Sequence, residues 1–279
     1  IAAGDVTGDS KVDLVVTRYT GTLAYILRGA GDGSFTVVQQ VTVGATPSGV
    51  VLTNLNGDPN LDIVTISPTD KTLSVLLGQG NATFAAAVNY ASGNGPAALV
   101  AADLNADGRM DLVVANDTEG VVSVFKGKTP AGTLTMPAIT YAAGTAPTGL
   151  VARDLNSDGV PDLAVTNLGT HSVSILLGAG NATFLAPVSY DVLLAPRWIT
   201  HGDVNGDGNV DLITACSESN SVVVLYGQGD GTFYVRPYFT TMNPIGLAAG
   251  DMDSNGVPDM VTINGSDTLS VMLGSSCAH

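Results

Sequence analysis

The sequence predicts an all-β protein, a β-propeller of six four-stranded repeats forming a single domain over residues 1–279. Three observations predict it. An acidic nine-residue loop recurs six times: DVTGDSKVD from Asp5, NLNGDPNLD from Asn54, DLNADGRMD from Asp103, DLNSDGVPD from Asp154, DVNGDGNVD from Asp203 and DMDSNGVPD from Asp251. The loop starts are 49, 49, 51, 49 and 48 residues apart. A proline stands seven residues ahead of five of them, at Pro47, Pro96, Pro147, Pro196 and Pro244. A glycine ends the apolar run after each loop, at Gly29, Gly78, Gly127, Gly178, Gly227 and Gly274, sixteen residues past the ninth loop residue (fifteen in the last repeat). A fixed period of this length, filled with short apolar stretches, is the mark of stacked repeat units.

Within a repeat the strands are expected in order. The fourth repeat shows all of them: GLVAR (149–153), DLAVT (162–166), SVSILL (172–177) and PVSY (187–190). Their Val, Ile, Leu and Thr content suits a pleated, half-buried surface. Asn, Asp, Gly, Ser and Pro fill the gaps, where turns need preset or positive φ. No window keeps a helical period, and there is no room for helices of an α/β fold. Four strands in about 49 residues is the length of one propeller blade. The last repeat stops after its third strand, LSVML (269–273), so its blade is expected to be incomplete, and self-assembly through that open edge is a candidate use. With neither an initiator Met nor a leader, the sequence reads as a mature chain or a fragment.

Composition narrows the function. The chain carries 10 Lys+Arg against 25 Asp+Glu, a net charge of −15. That argues against nucleic acid and against anionic lipid, both of which need a basic surface. Hydrophobic residues make up 45%, too many for a disordered acidic segment. No apolar run is long enough for a membrane span. Two cysteines, Cys216 and Cys277, are too few for a disulfide framework.

The loops carry the chemistry. Oxygen-bearing side chains stand at positions 1, 3, 5 and 9, and position 7 can offer its backbone carbonyl. The candidate ligands are Asp5, Thr7, Asp9, Lys11 and Asp13; Asn54, Asn56, Asp58, Asn60 and Asp62; Asp103, Asn105, Asp107, Arg109 and Asp111; Asp154, Asn156, Asp158, Val160 and Asp162; Asp203, Asn205, Asp207, Asn209 and Asp211; and Asp251, Asp253, Asn255, Val257 and Asp259. Hard cations such as Ca²⁺ take six to eight oxygens, and this spacing wraps one. The loop is no EF-hand, since strand-forming residues follow and position 12 lacks Glu. Seventeen of the 25 acidic residues lie in the six loops. Carboxylates so crowded raise one another's pKa unless a cation lies among them. Up to six Ca²⁺ are expected, with the loop at 54–62, which has only two carboxylates, the weakest site.

The run from DLNSDGVPDLAVTN to SVSILLGAGNATF resembles the VCBS/FG-GAP repeat of integrin α-subunit-like propellers and of many secreted proteins. The resemblance covers nearly the whole chain. It implies Ca²⁺ between the first and second strands of each blade and an extracellular setting, whether secreted or at a cell surface. It also implies a glycine-rich turn before the fourth strand, found here as GAGDGSF (29–35), GQGNATF (78–84), GAGNATF (178–184) and GQGDGTF (227–233), with GKTPAGT (127–133) departing from it. Integrin-type propellers have seven blades, so the alternative is a seven-bladed ring with one repeat missing.

Other candidates are weaker. Arg197, Trp198 and His201 interrupt a first strand that elsewhere holds small or aliphatic residues, a candidate ligand spot. Asn81, Asn116, Asn181 and Asn264 head N-x-S/T sequons, candidate glycan acceptors. No Ser/His/Asp or Cys/His constellation clusters, so the chain is read as non-enzymatic. The reading is an extracellular calcium-binding adhesion, protein-binding or structural module. A lectin and an accessory or catalytic domain of a secreted enzyme are the alternatives.

Overall fold

The computed structural model describes residues 1–128, 132–239, 243–265 and 267–274. It is a six-bladed β-propeller with almost no helix: among the described residues a single 3₁₀ turn, Ser217–Ser219, interrupts the strands. Among the described residues the six blade sheets are antiparallel meanders, five of four strands and one of three, and two small two-stranded hairpins, Gly78–Gly80 with Thr83–Phe84 and Gly127–Lys128 with Thr133–Leu134, lie beside them. Blade four runs Pro147–Arg153, Asp162–Asn167, Ser172–Leu176 and Val188–Asp191, within one or two residues of the expected spans except where its first strand starts earlier, at the proline.

That earlier start has a cause. In blades three to six the register skips one residue just after the proline, between Pro96 and Ala98, Pro147 and Gly149, Pro196 and Trp198, and Pro244 and Gly246. Proline lacks an N–H and is tolerated at the first residue of a strand or at a bulge. Here it does both.

The chain divides into two compact units, Ile1–Tyr141 and Ala142–His279. In the first, Ala24 and Ile26 of blade one pack with Val50, Ile63 and Leu76 of blade two. Leu73 and Val75 of blade two pack in the same way with Leu112, Val114 and Phe125 of blade three. In the second unit, Val173 and Ile175 of blade four meet Leu212, Val223 and Leu225 of blade five. Val222 and Val224 of blade five then meet Met260 and Met272 of blade six. In blades two to five the second and third strands are therefore buried on both faces, which is why their apolar runs do not alternate. Each such side chain contributes roughly 1.5–3 kcal/mol.

Candidate metal loops

Each loop joins the first strand of a blade to the second, and its ninth residue opens the second strand. That residue is a fully buried aspartate in all six blades: Asp13, Asp62, Asp111, Asp162, Asp211 and Asp259. One carboxylate oxygen accepts the N–H of loop position 2, from Val6, Leu55, Leu104, Leu155, Val204 or Met252, at 2.7–3.1 Å. The other accepts the N–H of the glycine marker, Gly29, Gly78, Gly127, Gly178, Gly227 or Gly274, at 2.6–2.9 Å. The position-9 carboxylate is thus a clamp between the loop's entrance and the far end of the third strand.

The glycine marker follows from this approach. A Cβ on Gly227 would stand 2.2 Å from the carbonyl oxygen of Val210, loop position 8, and the other five would meet their own position-8 oxygens at 2.0–2.7 Å. No larger residue brings its N–H so close.

The remaining polar side chains hold the loop's own backbone. Asp203 accepts the N–H of Gly206 and Asp207 on one oxygen and of Gly208 on the other. Asp103, Asp154 and Asp251 do the same for positions 5 and 6 of their loops. The position-5 side chain accepts the N–H of position 7 in every loop, at 2.7–3.0 Å. So tight a coil needs left-handed backbone at position 6 and also at position 4: Gly8, Gly57, Ala106, Ser157, Gly206 and Ser254 all have φ between 57° and 77°. The loop at 54–62 departs at position 6, where Pro59 stands.

The loops offer oxygen donors alone, with no Cys or His, a set that fits a hard divalent cation. Among the described residues one acidic trio has ligand oxygens all within 4.8 Å of one another: Asp251, Asp253 and Asp259. It is the loop with Asp rather than Asn at position 3. In the loops at 154 and 203 the Asn amide donates to the position-5 carboxylate instead. Two position-5 carboxylates have cationic partners: Arg28 pairs with Asp9 at 2.8 Å and Arg109 with Asp107 at 3.2 Å. Arg28 beside it holds Asp9 below the usual carboxylate range. Burial pushes Asp62, Asp111 and Asp162 up, against the pull of their two backbone N–H partners, and Asp211 up to about 6. Asp259 goes the other way, held down by the N–H of Met252 and Gly274.

The other sequence candidates fare differently. Arg197 lies in the bulge after Pro196, and its Nε donates to Ser217 Oγ at 3.2 Å. Trp198 is 54% exposed. His201 lies three residues further on, so strand alternation sends it to the opposite face from Trp198. Burial lowers its pKa, and Arg153 lowers it further. Trp198 and His201 therefore do not share one face of the strand. Asn81 and Asn181 are exposed in equivalent turns, but Asn116 and Asn264 are corrected: both are buried, and Asn116 Nδ2 donates to Ser123 Oγ at 2.9 Å. A glycan at either has no room in the folded blade. Cys216 is buried as a free thiol, while Cys277 and the end of the Asn264 sequon, Ser266, lie outside the described residues. No described helix is long and apolar enough to cross a membrane.

The sequence profile of the FG-GAP-like repeat matches residues 5–65, 54–114, 103–165, 154–214 and 203–262. The chain belongs to the FG-GAP-like repeat family. No protein of curated function matches it. Solved structures share the fold of this FG-GAP-like chain at low identity. A functionally unknown protein from Desulfotomaculum acetoxidans is 14% identical with a TM-score of 0.62, covering 98% of this chain and 84% of that one. Virginiamycin B lyase from Staphylococcus aureus is 14% identical at 0.65, covering 97% and 79%. A Lactobacillus plantarum protein is 16% identical at 0.60, covering 94% and 80%. An FG-GAP-like propeller supports a protein-binding or structural role, since its loops sit on a rigid array of sheets.

Proposed function

We propose that this FG-GAP-like chain is an extracellular, calcium-stabilised module that binds a protein partner or builds a larger assembly. The observation that carries the reading is the convergence of Asp251, Asp253 and Asp259 within 4.8 Å, in a loop whose backbone path recurs at Asp5, Asp103, Asp154 and Asp203. Residues 1, 3, 5 and 9 of each loop would hold Ca²⁺, with the position-7 carbonyl as a further donor. The ion supplies positive charge and no reaction. A cation bound only by the folded loop stabilises the fold by mass action. The loop at 54–62, with Asn at positions 1 and 3 and Pro59 at position 6, is the weakest member. Loops at 5 and 103 bind only by drawing Asp9 and Asp107 away from Arg28 and Arg109. Calcium sites of extracellular modules bind at about 10⁻⁴–10⁻³ M, an affinity that fits a structural ion outside the cell.

Thermal melting with chelator, then with Ca²⁺ or Mg²⁺ restored, tests this. The melting temperature falls in chelator and recovers with Ca²⁺ better than with Mg²⁺, whose demand for near-ideal octahedral geometry suits an irregular loop poorly. An unchanged melt in all three conditions would sink the reading.

A further inference from the structure

Each first strand runs into an acidic loop, and four of the six end in uncharged pairs: Ala3–Gly4, Leu52–Thr53, Ala101–Ala102 and Ala249–Gly250. The exceptions are Arg153, just ahead of the loop at 154, and His201, two residues ahead of the loop at 203. The fold brings these two together. The first strands of blades four and five, Pro147–Arg153 and Pro196–Gly202, lie side by side. Thr148 Oγ1 donates to Pro196 O at 3.1 Å, and a Cβ on Gly149 would lie 3.1 Å from Arg197 O and 3.2 Å from Ile199 Cγ2. The face of the fourth blade's strand that carries Gly149 therefore meets the fifth blade. Val151, next on that face, is buried in the cluster against which Ile199 of the facing strand packs. Alternation carries both faces one step further. Arg153 follows Val151 and His201 follows Ile199, so the two side chains stand opposite each other at the end of the apolar seam. Arg153 is exposed and His201 half-buried. The guanidinium lies close enough for its charge to act on the imidazole.

Neither side chain has an internal partner. Among the described residues Arg153 makes no ion pair, unlike Arg28 and Arg109, and neither Arg153 nor His201 makes a hydrogen bond. The carboxylates that follow them in sequence are turned into their own loops. Asp154 accepts the N–H of Asp158 and Gly159, and Asp203 those of Gly206, Asp207 and Gly208.

We propose that Arg153 and His201 together bind a carboxylate group brought by a ligand, the Arg153 fork taking its two oxygens and the His201 ring N–H donating to one of them. A guanidinium matches a carboxylate through two parallel hydrogen bonds, a geometry that a lysine cannot reproduce. One fixed positive charge offsets one negative charge. A singly charged carboxylate therefore suits the site better than a dianion such as sulfate or phosphate, whose second charge would face a chain already at −15. The inference goes beyond the module reading and does not rest on calcium. The carboxylate comes either from a small free acid or from an acidic side chain of a protein partner, and the two carboxylate probes below separate these sources.

The full chain, isotopically labelled at its histidine rings, is titrated at fixed pH and ionic strength with acetate, with an end-capped peptide bearing one glutamate, and with sulfate. NMR follows the ring signals of the three histidines, and His201→Gln identifies the one that matters. Expected is a saturable shift of the His201 signal, half complete by about 10 mM acetate or peptide, that chloride does not produce. Tighter binding of the peptide than of acetate marks a protein partner as the source; acetate at least as tight marks a small acid. Arg153→Gln weakens binding by about tenfold or more. Its side chain is exposed, and an unmoved His171 signal shows that the variant keeps its fold. No saturation by about 100 mM of either carboxylate, tighter binding of sulfate than of both, or undiminished binding by Arg153→Gln would overturn the proposal.

Discussion

The carboxylate of Asp211 accepts the N–H of Gly227, sixteen residues away, at 2.9 Å, while its second oxygen holds the loop entrance through Val204. The most regular acidic residue of the repeat is therefore tied to backbone whether or not a cation is present. Positions 1, 3 and 5, which are more exposed, are the ones whose chemistry a cation changes most.

Those two roles separate by mutation. Asp211→Ala leaves two buried N–H groups without acceptors, at roughly 1–3 kcal/mol each, so it destabilises by about 2–6 kcal/mol even in chelator. Asp207→Ala, in an exposed turn, costs less than about 1 kcal/mol in chelator but removes the gain on adding Ca²⁺. Urea unfolding with and without calcium measures both. Equal losses in chelator would mean that the clamp carries no special weight.

The glycine marker is fixed by space. Gly227→Ala puts a methyl group 2.2 Å from the Val210 carbonyl oxygen, a backbone atom that cannot swing aside. A loss of about 3 kcal/mol or failure to fold is expected. Gly250→Ala, with nothing within 4 Å and no left-handed φ, is the matched control and changes stability by less than about 1 kcal/mol. Denaturant midpoints of the two variants decide it.

Expression in a glycosylating eukaryotic host distinguishes the sequons. Folded, secreted protein is expected to carry glycan at Asn81 and Asn181 and none at Asn116 or Asn264. Peptide mapping by mass spectrometry reads the occupancy at each asparagine. Glycan on Asn116 in folded protein would contradict its burial.

Cys216 is expected to be inert. Burial pushes its thiol up to about 12, so essentially no thiolate exists near pH 8 and no reagent reaches it. Alkylation should mark the peptide containing Cys216 only after denaturation, at a rate then set by an ordinary thiol. Labelling of the native chain at that peptide would show that blade five opens readily.

Much of this was legible in the sequence because every signal was written six times. One DLNSDGVPD string reads as an ordinary turn; six in phase place the second strand at Asp162 and its counterparts. What stayed hidden were relationships across space. Ala106, Ser157 and Ser254 give no local sign that they adopt left-handed backbone, since that demand comes from N–H groups turning inward to the position-1 carboxylate. The sequence places Gly227 at a constant spacing but cannot say that Val210 O lies against it. Asn116 heads a sequon like that of Asn81, yet it ends a second strand enclosed on both faces, and only packing tells the two apart. Arg197, Trp198 and His201 are close enough in the chain to suggest a cluster, but the strand's alternation after the bulge at Pro196 parts Trp198 from His201.

The clamp also bears on synthesis. All three of its anchors lie in one stretch of a single repeat, from position 2 through the aspartate seven residues later to the glycine sixteen beyond. At the usual pace of translation, about 5–20 residues per second, a ribosome releases that stretch within a few seconds, before the following repeat is made. A newborn blade can therefore fasten its own loop and wait, already shaped, for the neighbour that will cover it.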